Sequence, residues 1–367
     1  HINPAKLPHG EQTTLTIMLH IDVETYSNID LPKVGAHRYA EDPSTELLMI
    51  GWKLDDGPIH LIDMTKGQGF VSFYDHLCNP KIRISAFNAQ FERLILSRFF
   101  PELAEESLLE PSRFRCTQVE AYHLGFSGTL DDCLHQADLP AAKQENGRAL
   151  IQKFCMPQPK NRKVRRWRAK DAPEDWAQFT EYCKTDVYVE CMLHDYCNRV
   201  MGELDEPDWE MYALDQEIND RGLPVDLDLV YKAEQAREDE KPLLVEWLRE
   251  FTGLENPGSR AQFLGWWNEN QPELKVENLR KETVAAMLEN LPAGNIYRDA
   301  ILTYQQVART SNSKWATIKK SASLADEWGW VRGCFQMRGA SRTGRWAGRR
   351  LQPQNLATPT KGIDVDE

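Results

Sequence analysis

The sequence predicts an α/β domain over residues 1–203, followed by a mainly helical region over residues 204–367. Apolar runs with the residue alternation of β-strands come first, at residues 15–23, 47–54 and 58–63. Strand-like and helical segments alternate after them. This order predicts a mixed five-stranded sheet flanked by helices, with the boundary to the helical region near residues 201–207.

The first predicted strand ends in two acids. One face of this strand carries Leu15, Ile17, Leu19 and Ile21. Asp22 and Glu24 project together from the other face, because successive side chains alternate in a strand. Adjacent carboxylates repel each other unless cations lie between them, so the pair indicates a divalent-metal site. The alternative is a solvated strand end before a turn at Ser27-Asn28.

The remaining elements of the first region follow from turns and caps. Asp55-Asp56-Gly57 is a hairpin turn sequence, which predicts that the first three strands form an antiparallel meander. A fourth strand, Ile82 to Phe87, leads into Asn88, which is suited to cap a helix running to Phe99. The other expected elements are a strand near Phe114, helices at residues 129–137 and 147–154, and a long helix after Pro173.

The second region carries helix signals. Asp226 is expected to begin a long charged helix. Ser259 and Gln262 have the spacing of a capping box that follows the turn Asn256-Pro257-Gly258. Residues 295–320 are expected to form another long helix.

Length and composition set limits on the class of protein. The chain has 367 residues, enough for two ordinary cores. Its 8 cysteines lack paired CxxC spacing, which favours reduced thiols over disulfides or a zinc site. No apolar run approaches the roughly 20 residues of a membrane span. We therefore expect a soluble protein.

The charge distribution is uneven. A net charge of −12 argues against nucleic acid as a partner, but basic residues gather at residues 160–170 and 338–350. Each tract is a candidate phosphate-binding surface. The alternative for each is an exposed loop that is basic only for solubility.

Glu92 is a candidate partner of the first two acids. It lies in the helix after the fourth strand, with Leu96 and Phe99 as apolar neighbours at helical spacing. A carboxylate beside a buried face is rarely left without a partner. The alternative is a side chain that reaches solvent or pairs with Arg93 or Arg98.

Tyr182 and Asp186 are a further candidate pair. They are four residues apart on the helix after Pro173, so the phenol and the carboxylate face the same way. The apolar stripe of this helix, which they border, consists of Trp176, Phe179, Cys183 and Val187. The alternative is a tyrosine at the core edge, hydrogen-bonded to Asp186.

The order of these acids along the chain resembles the motifs of the proofreading 3′-to-5′ exonucleases of the ribonuclease H-like fold. The resemblance is to the members of this family that have a tyrosine before the last acid. The matching residues are Asp22, Glu24 and Thr25, then Asn88 to Glu92, then Tyr182 and Asp186. The second motif usually ends in Asp, and Glu92 is one methylene longer.

The resemblance implies hydrolysis of single-stranded DNA 3′ ends to 5′-monophosphates, with two divalent ions, Mg²⁺ or Mn²⁺, as cofactors. By the same resemblance, Asp22 would bridge both ions, and Glu24 and Asp186 would hold the ion that activates water. Glu92 would act at the second ion. Tyr182 would orient the attacking water.

A segment near the C-terminus, QMRGASRTGRWAGRRLQPQNL from Gln336, resembles the primer- and template-binding segment of the family A DNA polymerases. In the family this segment runs Thr-x-Gly-Arg, or close to it, and then Gln-Asn a few residues later. The residues that correspond here are Thr343, Gly344, Arg345, Gln354 and Asn355. LDQEINDRGLPVDLDLV, from Leu214, resembles the family's opening helix and turn, especially in phage-type members. The resemblance covers nearly the whole chain and implies primer/template DNA as a partner.

The candidate nucleic-acid contacts come from all of these segments. They are Thr25, Asn88, Arg165, Arg166, Trp167, Arg168, Arg342, Thr343, Arg345, Gln354 and Asn355. We expect the tract at residues 160–170 to bind the single strand that enters the exonuclease site, with Trp167 stacking on a base.

The family's polymerase-metal aspartates come from a strand motif, Asp-Tyr-Ser-x-hydrophobic-Glu, and from a later His-Asp. The strand motif does not occur in this sequence, and no His-Asp pair occurs in the second region, residues 204–367. We therefore expect the N-terminal part of a larger polymerase, truncated before the palm motifs, or half of a split polymerase whose palm and fingers are another polypeptide. Primer extension by this chain alone is not expected. A free-standing nuclease and a binding module that no longer cuts are the alternatives. The expected location is the cytoplasm of a bacterial cell or phage-infected host, without a membrane partner.

Overall fold

A computed structural model describes residues 17–67, 69–140, 146–308, 313–323 and 329–355. The chain divides into two compact units. The first is formed by residues 1–223 and 330–367, and the second by residues 224–329. Among the described residues, no helix is long and apolar enough to cross a membrane.

The first unit contains a mixed sheet and its helices. Its strands are β1 (Met18–Tyr26), β2 (Glu46–Leu54), β3 (His60–Asp63), β4 (Arg83–Ala86) and β5 (Phe114–Cys116). Its helices are α1 (Leu31–Val34), α2 (Ala36–Glu41), α3 (Phe70–Cys78), α4 (Gln90–Phe99), α5 (Pro101–Glu105), α6 (Thr117–His123), α7 (Leu130–Gln136), α8 (Gly147–Phe154), α9 (Pro173–Met201) and α10 (Glu206–Arg221).

The five strands form one sheet in the order β3-β2-β1-β4-β5. β1 pairs antiparallel with β2, and β2 pairs antiparallel with β3, as the predicted meander requires. β4 is parallel to β1, and β5 is parallel to β4. The predicted mixed five-stranded sheet flanked by helices is therefore confirmed.

The central strand β1 separates apolar and acidic side chains. Leu19, Ile21 and Val23 are buried in the main core of the first unit. Ile17 was predicted to share their face, but it precedes the strand and is 39% exposed. Leu15 lies outside the described residues.

Several local predictions differ from the structure. Asn88 does not cap α4: the residue before that helix is Ala89, and Asn88 has a φ of +65°, which a capping residue does not adopt. Helix α3 was not predicted from the sequence. Its segment carries Phe70, Phe73 and Leu77, an apolar spacing that serves a helix packed on the core.

The second unit is helical. Its helices are α11 (Leu227–Thr252), α12 (Arg260–Asn270), α13 (Lys281–Glu289), α14 (Ile296–Ala308) and α15 (Ser313–Ser321). The chain enters it at β6 (Leu223–Val225), and β7 (Ala322–Ser323) and β8 (Gly329–Val331) come at its end. Its own core contains Phe263, Trp267 and Tyr304.

The predicted caps in the second unit had different outcomes. Asp226 begins α11, and its Oδ1 accepts a hydrogen bond from the Leu229 amide at 2.9 Å. The predicted capping box is wrong, because Ser259 makes no side-chain cap and Gln262 instead accepts from the Asn256 amide at 3.0 Å. The helix predicted at residues 295–320 is described as α14 and α15, and residues 309–312 between them lie outside the described residues.

The last strands, β9 (Phe335–Ala340) and β10 (Arg345–Gly348), form an antiparallel hairpin in the first unit. Asn219 of α10 ties this return segment down. Its side chain donates to the Phe335 carbonyl at 3.1 Å and accepts from the Phe335 amide at 2.9 Å. The compact units thus do not coincide with the expected boundary near residues 201–207, and the division into exonuclease and thumb-like regions stays a prediction.

A glycine in β2 allows α9 to lie close to the sheet. A Cβ atom on Gly51 would come within 2.9 Å of Val187 Cγ2 and 3.1 Å of the Cys183 carbonyl oxygen. Gly51 is paired with Asp22 across β1 and β2. The small residue at this position therefore brings α9 beside the acids of the central strand.

We expect Gly51→Ala to lower the free energy of unfolding by roughly 1–3 kcal/mol, because the added methyl group overpacks the contact with α9. Urea denaturation monitored by circular dichroism measures this change. Gly265→Ala is the control: a Cβ atom there meets nothing within 4 Å, and the substitution in helix α12 should stabilise by roughly 0.5–1 kcal/mol. An unchanged midpoint for Gly51→Ala would contradict the close approach.

Candidate metal centre

Three of the predicted acids meet in space. The carboxylates of Asp22 and Glu24 on β1 and of Asp186 on α9 offer oxygen atoms that all lie within 4.8 Å of one another. β1 and α9, which carry these acids, are more than 100 residues apart in the chain. Residue alternation directs Asp22 and Glu24 to the same face of β1, and the close packing of α9 brings Asp186 beside them. Oxygen donors at this spacing can hold a hard divalent cation.

The electrostatics of this centre are unfavourable without a cation. The pKa values of Asp22 and Glu24 are raised well above their ordinary range, first by burial and then by the nearby carboxylates. Burial also raises the pKa of Asp186 to about 6, although a hydrogen bond from Tyr182 opposes the shift. The acids therefore retain protons more readily than free carboxyl groups do.

Glu92 lies near this group without belonging to the tight set of three. Its side chain is 5% exposed, and its Oε2 has no hydrogen-bond partner among the described residues. Burial raises its pKa well above the ordinary value, and the charge of Asp22 adds to the shift. A buried carboxylate oxygen without a partner is costly, so this atom is available to a ligand.

Tyr182 occupies the position that the sequence predicts, one turn before Asp186. Its hydroxyl donates to Asp186, and burial together with that carboxylate raises the pKa of the phenol. The ring lies against the first residue of α8, where a Cβ atom on Gly147 would come within 2.5 Å of Tyr182 Cε2. Tyr182 is therefore held in place as a neutral O–H donor.

Two thiols touch the acids, and sequence reasoning did not single them out. Cys183 Sγ donates to Asp22 Oδ2 at 3.5 Å, and Cys155 Sγ donates to Glu24 Oε2 at 3.6 Å. Cys183 immediately follows Tyr182, so its position on the helix could have indicated this contact. Cys155 follows α8, and no sequence signal relates it to β1.

The two polar residues adjoining the acid motifs differ in exposure. Thr25 is 6% exposed, and its hydroxyl lies 2.9 Å from the Tyr39 hydroxyl. Asn88 is exposed between β4 and α4. Thr25 thus faces the interior, whereas the Asn88 side chain is open to a ligand.

The basic tract at residues 160–170 is partly committed to contacts within the protein. Arg166 lies 3.3 Å from the centroid of the Tyr26 ring and donates to Glu46 at 3.1 Å. Arg168 also pairs with Glu46, at 3.5 Å. Trp167 is partly buried, with Lys153 Nζ 4.4 Å from its ring centroid, whereas Arg165 is exposed.

The predicted primer- and template-binding residues lie on and after the hairpin of β9 and β10. Those that are exposed are Arg342, Thr343, Arg345, Gln354 and Asn355. Trp346 is 44% exposed, and its indole N–H donates to the buried carboxylate of Asp215 at 2.5 Å. The hairpin thus presents polar groups while an interior hydrogen bond fixes its second strand.

A second group of potential metal ligands in the described residues consists of His20, Glu190 and Cys191. It differs electrostatically from the acids above. Burial disfavours the Glu190 carboxylate, but His20 and other donors lower its pKa to about 2. Its charge is satisfied by protein groups, which does not favour a cation site.

No protein-family model matches this chain. A DNA polymerase of Bacillus phage SP02 is 36% identical over 342 residues, which are 92% of this chain and 51% of that protein. The predicted resemblance to DNA polymerases is confirmed. The chain spans about half the length of this polymerase relative.

A solved structure, the POL domain of Pol1 from M. smegmatis in complex with DNA primer-template and dNTP, has a similar fold. Its TM-score with this chain is 0.55, at 13% sequence identity. The match covers 95% of this chain and 53% of the other. At this identity the likeness to the polymerase domain shows the fold alone.

We expect Asp186→Asn to stabilise the metal-free protein at pH 8. The pKa of Asp186 is higher in the folded chain than its ordinary value, so its stabilising contribution is present at low pH and lost as the pH rises through about 6. Asparagine does not titrate, and the gain in unfolding free energy should be roughly 1–3 kcal/mol at pH 8 and vanish near pH 4.

Thermal unfolding in a chelator, followed at several pH values, measures this difference. Glu181→Gln is the control on the same helix: it removes an exposed carboxylate paired with Lys184, so the change should stay below roughly 0.5 kcal/mol. Equal stability of Asp186→Asn and wild type at pH 8 would contradict the raised pKa of the buried Asp186 carboxyl group.

Proposed function

We propose that the chain carries the 3′-to-5′ exonuclease of a family A DNA polymerase and removes nucleotides from single-stranded 3′ ends of DNA. The observation that carries the proposal is the meeting of Asp22, Glu24 and Asp186, whose oxygen atoms lie within 4.8 Å of one another. These are residues of the motifs that resemble the proofreading exonucleases. The similarity to a phage DNA polymerase supports the part of the proposal that concerns a DNA polymerase.

The sheet topology gives further support. An order of β3-β2-β1-β4-β5, with β2 antiparallel to β1 and β4 parallel to it, is the arrangement expected of the ribonuclease H-like fold. In this arrangement the central strand carries the first acids and the last helix, α9, carries the final one.

The donor set fits two divalent ions of the Mg²⁺ or Mn²⁺ type. All four candidate ligands are carboxylates, which suit hard cations. Oε2 of Glu92 has no hydrogen-bond partner among the described residues, and the pKa values of all four acids are raised, so a divalent cation would stabilise the ionised form of the group. We assign Asp22, Glu24 and Asp186 as ligands of the ions, and we place Glu92 at the second ion.

Bound divalent ions supply the charge that makes water nucleophilic and that stabilises the departing 3′ oxygen. The chain's own contribution is positional. Tyr182 keeps its proton at neutral pH, as an ordinary phenol does, and burial raises its pKa further, so its O–H can orient a water or a phosphate oxygen beside Asp186. The exposed Asn88 side chain is suited to contact the nucleotide at the 3′ end.

The hairpin of β9 and β10 is the proposed contact with primer/template duplex. Its turn and the residues after it are exposed, and they offer the donors Arg342, Arg345, Gln354 and Asn355. Donors of this kind can read acceptors of the minor groove that are shared by all base pairs. Action of the chain together with a separate palm and fingers polypeptide, and its cytoplasmic location, stay predictions.

We expect Asp22→Ala to reduce metal-dependent exonuclease activity by about 100-fold or more, because it removes a carboxylate central to ion binding. The fold should be retained, since the change also relieves repulsion. Release of 5′-monophosphates from a labelled single-stranded oligonucleotide at saturating Mg²⁺ measures the activity. Asp56→Ala, in the exposed turn after β2, is the control with wild-type activity. An unchanged rate for Asp22→Ala would exclude the assignment.

We expect Arg165→Gln to weaken binding of single-stranded DNA and to reduce its salt dependence. Loss of one phosphate contact lowers the slope of log K against log salt by roughly 0.7. Arg165 is exposed, whereas replacing Arg166 would also break its contacts with Tyr26 and Glu46.

Fluorescence anisotropy of a labelled oligonucleotide at several salt concentrations measures this slope. Arg98→Gln, an exposed arginine on α4 outside the basic tract, is the matched control. Equal slopes for wild type and Arg165→Gln would favour the alternative that the tract is a solvated loop.

A further inference from the structure

Helix α9 continues the line of site residues with further polar side chains. Tyr182, Asp186, Glu190, His194 and Asn198 follow one another at intervals of four residues. Neighbours at this spacing are adjacent on the helix surface, so the series forms a strip that winds gradually around the helix. The first two belong to the candidate metal centre, and the next one is buried beneath the sheet.

Glu190 connects three elements of the first unit. Its side chain is 2% exposed. Its Oε2 lies 2.7 Å from His20 Nδ1 on β1, and its Oε1 accepts from Ser85 Oγ on β4 at 2.8 Å. Oε1 also accepts from the hydroxyl of Thr117, the first residue of α6. Both carboxylate oxygens are therefore occupied by protein donors.

His20 and Glu190 face each other across β1 and α9 in the same way as Asp22 and Asp186, at the neighbouring position. His20 precedes Asp22 by two residues on β1, a rise of about 6.6 Å. Glu190 follows Asp186 by four residues on α9, a rise of about 6 Å. Because these distances nearly match and the two elements run in opposite directions here, the contact between His20 and Glu190 sets the same register that places Asp186 opposite Asp22.

The next polar residue on the helix supports this contact. His194 Nδ1 lies 2.8 Å from Glu120 Oε2 on α6, and its ring meets that of His20 edge-on at 5.2 Å between centroids. Burial disfavours the charged form of both groups, but Glu120 raises the pKa of His194 to about 9, and His20 and His194 lower that of Glu190 to about 2. Charged groups of both signs thus hold α9 from its buried side.

We infer that Glu190 is a positioning residue that locks α9 to β1, β4 and α6 and thereby holds Asp186 within ion-sharing distance of Asp22. The inference rests on the proposed function for its biological meaning, but the geometric claim can be tested without metal or substrate. Removing Glu190 leaves buried donors on His20, Ser85 and Thr117 without their acceptor, and α9 loses the contact that fixes its register.

The first test measures how much Asp186→Asn raises the unfolding temperature in a chelator at pH 8, in three backgrounds of the full chain. The gain should appear in wild type. In Glu190→Ala it should fall to less than half, because a displaced α9 no longer presses Asp186 against Asp22.

The matched background is Leu193→Ala on the same helix. Leu193 is fully buried in a separate apolar cluster with Cys133 and Leu134, so its truncation destabilises the unit without touching the polar contacts. The gain from Asp186→Asn should persist in this background. An equal gain in the Glu190→Ala and Leu193→Ala backgrounds would overturn the inference.

A second measurement follows Mn²⁺ binding by electron paramagnetic resonance. Glu190→Ala should raise the dissociation constant at least tenfold, and Leu193→Ala should leave it within twofold of wild type. Glu190→Gln keeps the side-chain length and an acceptor for Ser85 and Thr117, so it should restore binding to within about threefold. Wild-type affinity in Glu190→Ala would overturn the inference.

The two proposals fail in distinguishable ways. Absence of metal binding or nuclease activity in wild type contradicts the proposed function, while the comparison in chelator still decides the role of Glu190. If Glu190→Ala does not fold, Glu190→Asp replaces it. This variant keeps the charge but is one methylene shorter, and it should also reduce the gain from Asp186→Asn; an undiminished gain would count against the inference.

Discussion

Electrostatic repulsion among buried carboxylates is the constraint on which the rest of the first unit depends. Asp22, Glu24, Glu92 and Asp186 come from β1, α4 and α9, and burial raises the pKa of each one. The close contact at Gly51 creates the proximity that the repulsion opposes. Thiol donors and the Tyr182 hydroxyl relieve part of it. The apolar core of the first unit provides the stability that offsets the remaining repulsion.

Sequence periodicity predicted the relative directions of side chains that lie on the same strand or helix. Alternation along β1 gave the common direction of Asp22 and Glu24, and the four-residue spacing gave that of Tyr182 and Asp186. The contacts of Cys155 could not be predicted, because they depend on how α8 meets β1. The predicted role of Asn88 as a cap failed for a related reason: its left-handed backbone conformation follows from the turn between β4 and α4.

Contacts between distant segments account for the other differences. Arg166 reads as part of a solvated basic tract, yet it packs on Tyr26 and Glu46, which lie more than 100 residues earlier in the chain. The return of residues 330–355 to the first unit also leaves no local signal. The boundary predicted from secondary structure, near residues 201–207, therefore differs from the division into compact units, at residues 223–224 and 329–330. Similarity to a DNA polymerase is consistent with both divisions.

The return segment has a consequence for how the chain can vary. The amide and carbonyl of Phe335 both bind the side chain of Asn219, and Arg332 Nε donates to the Asp220 carbonyl at 2.7 Å, so hydrogen bonds join the points where the chain leaves and rejoins the first unit. The second unit is thus an insertion with closed ends. The entropy of closing such an excursion grows only slowly with its length. The second unit can therefore change in length at little entropic cost, while the sheet and its acids keep the same supporting residues.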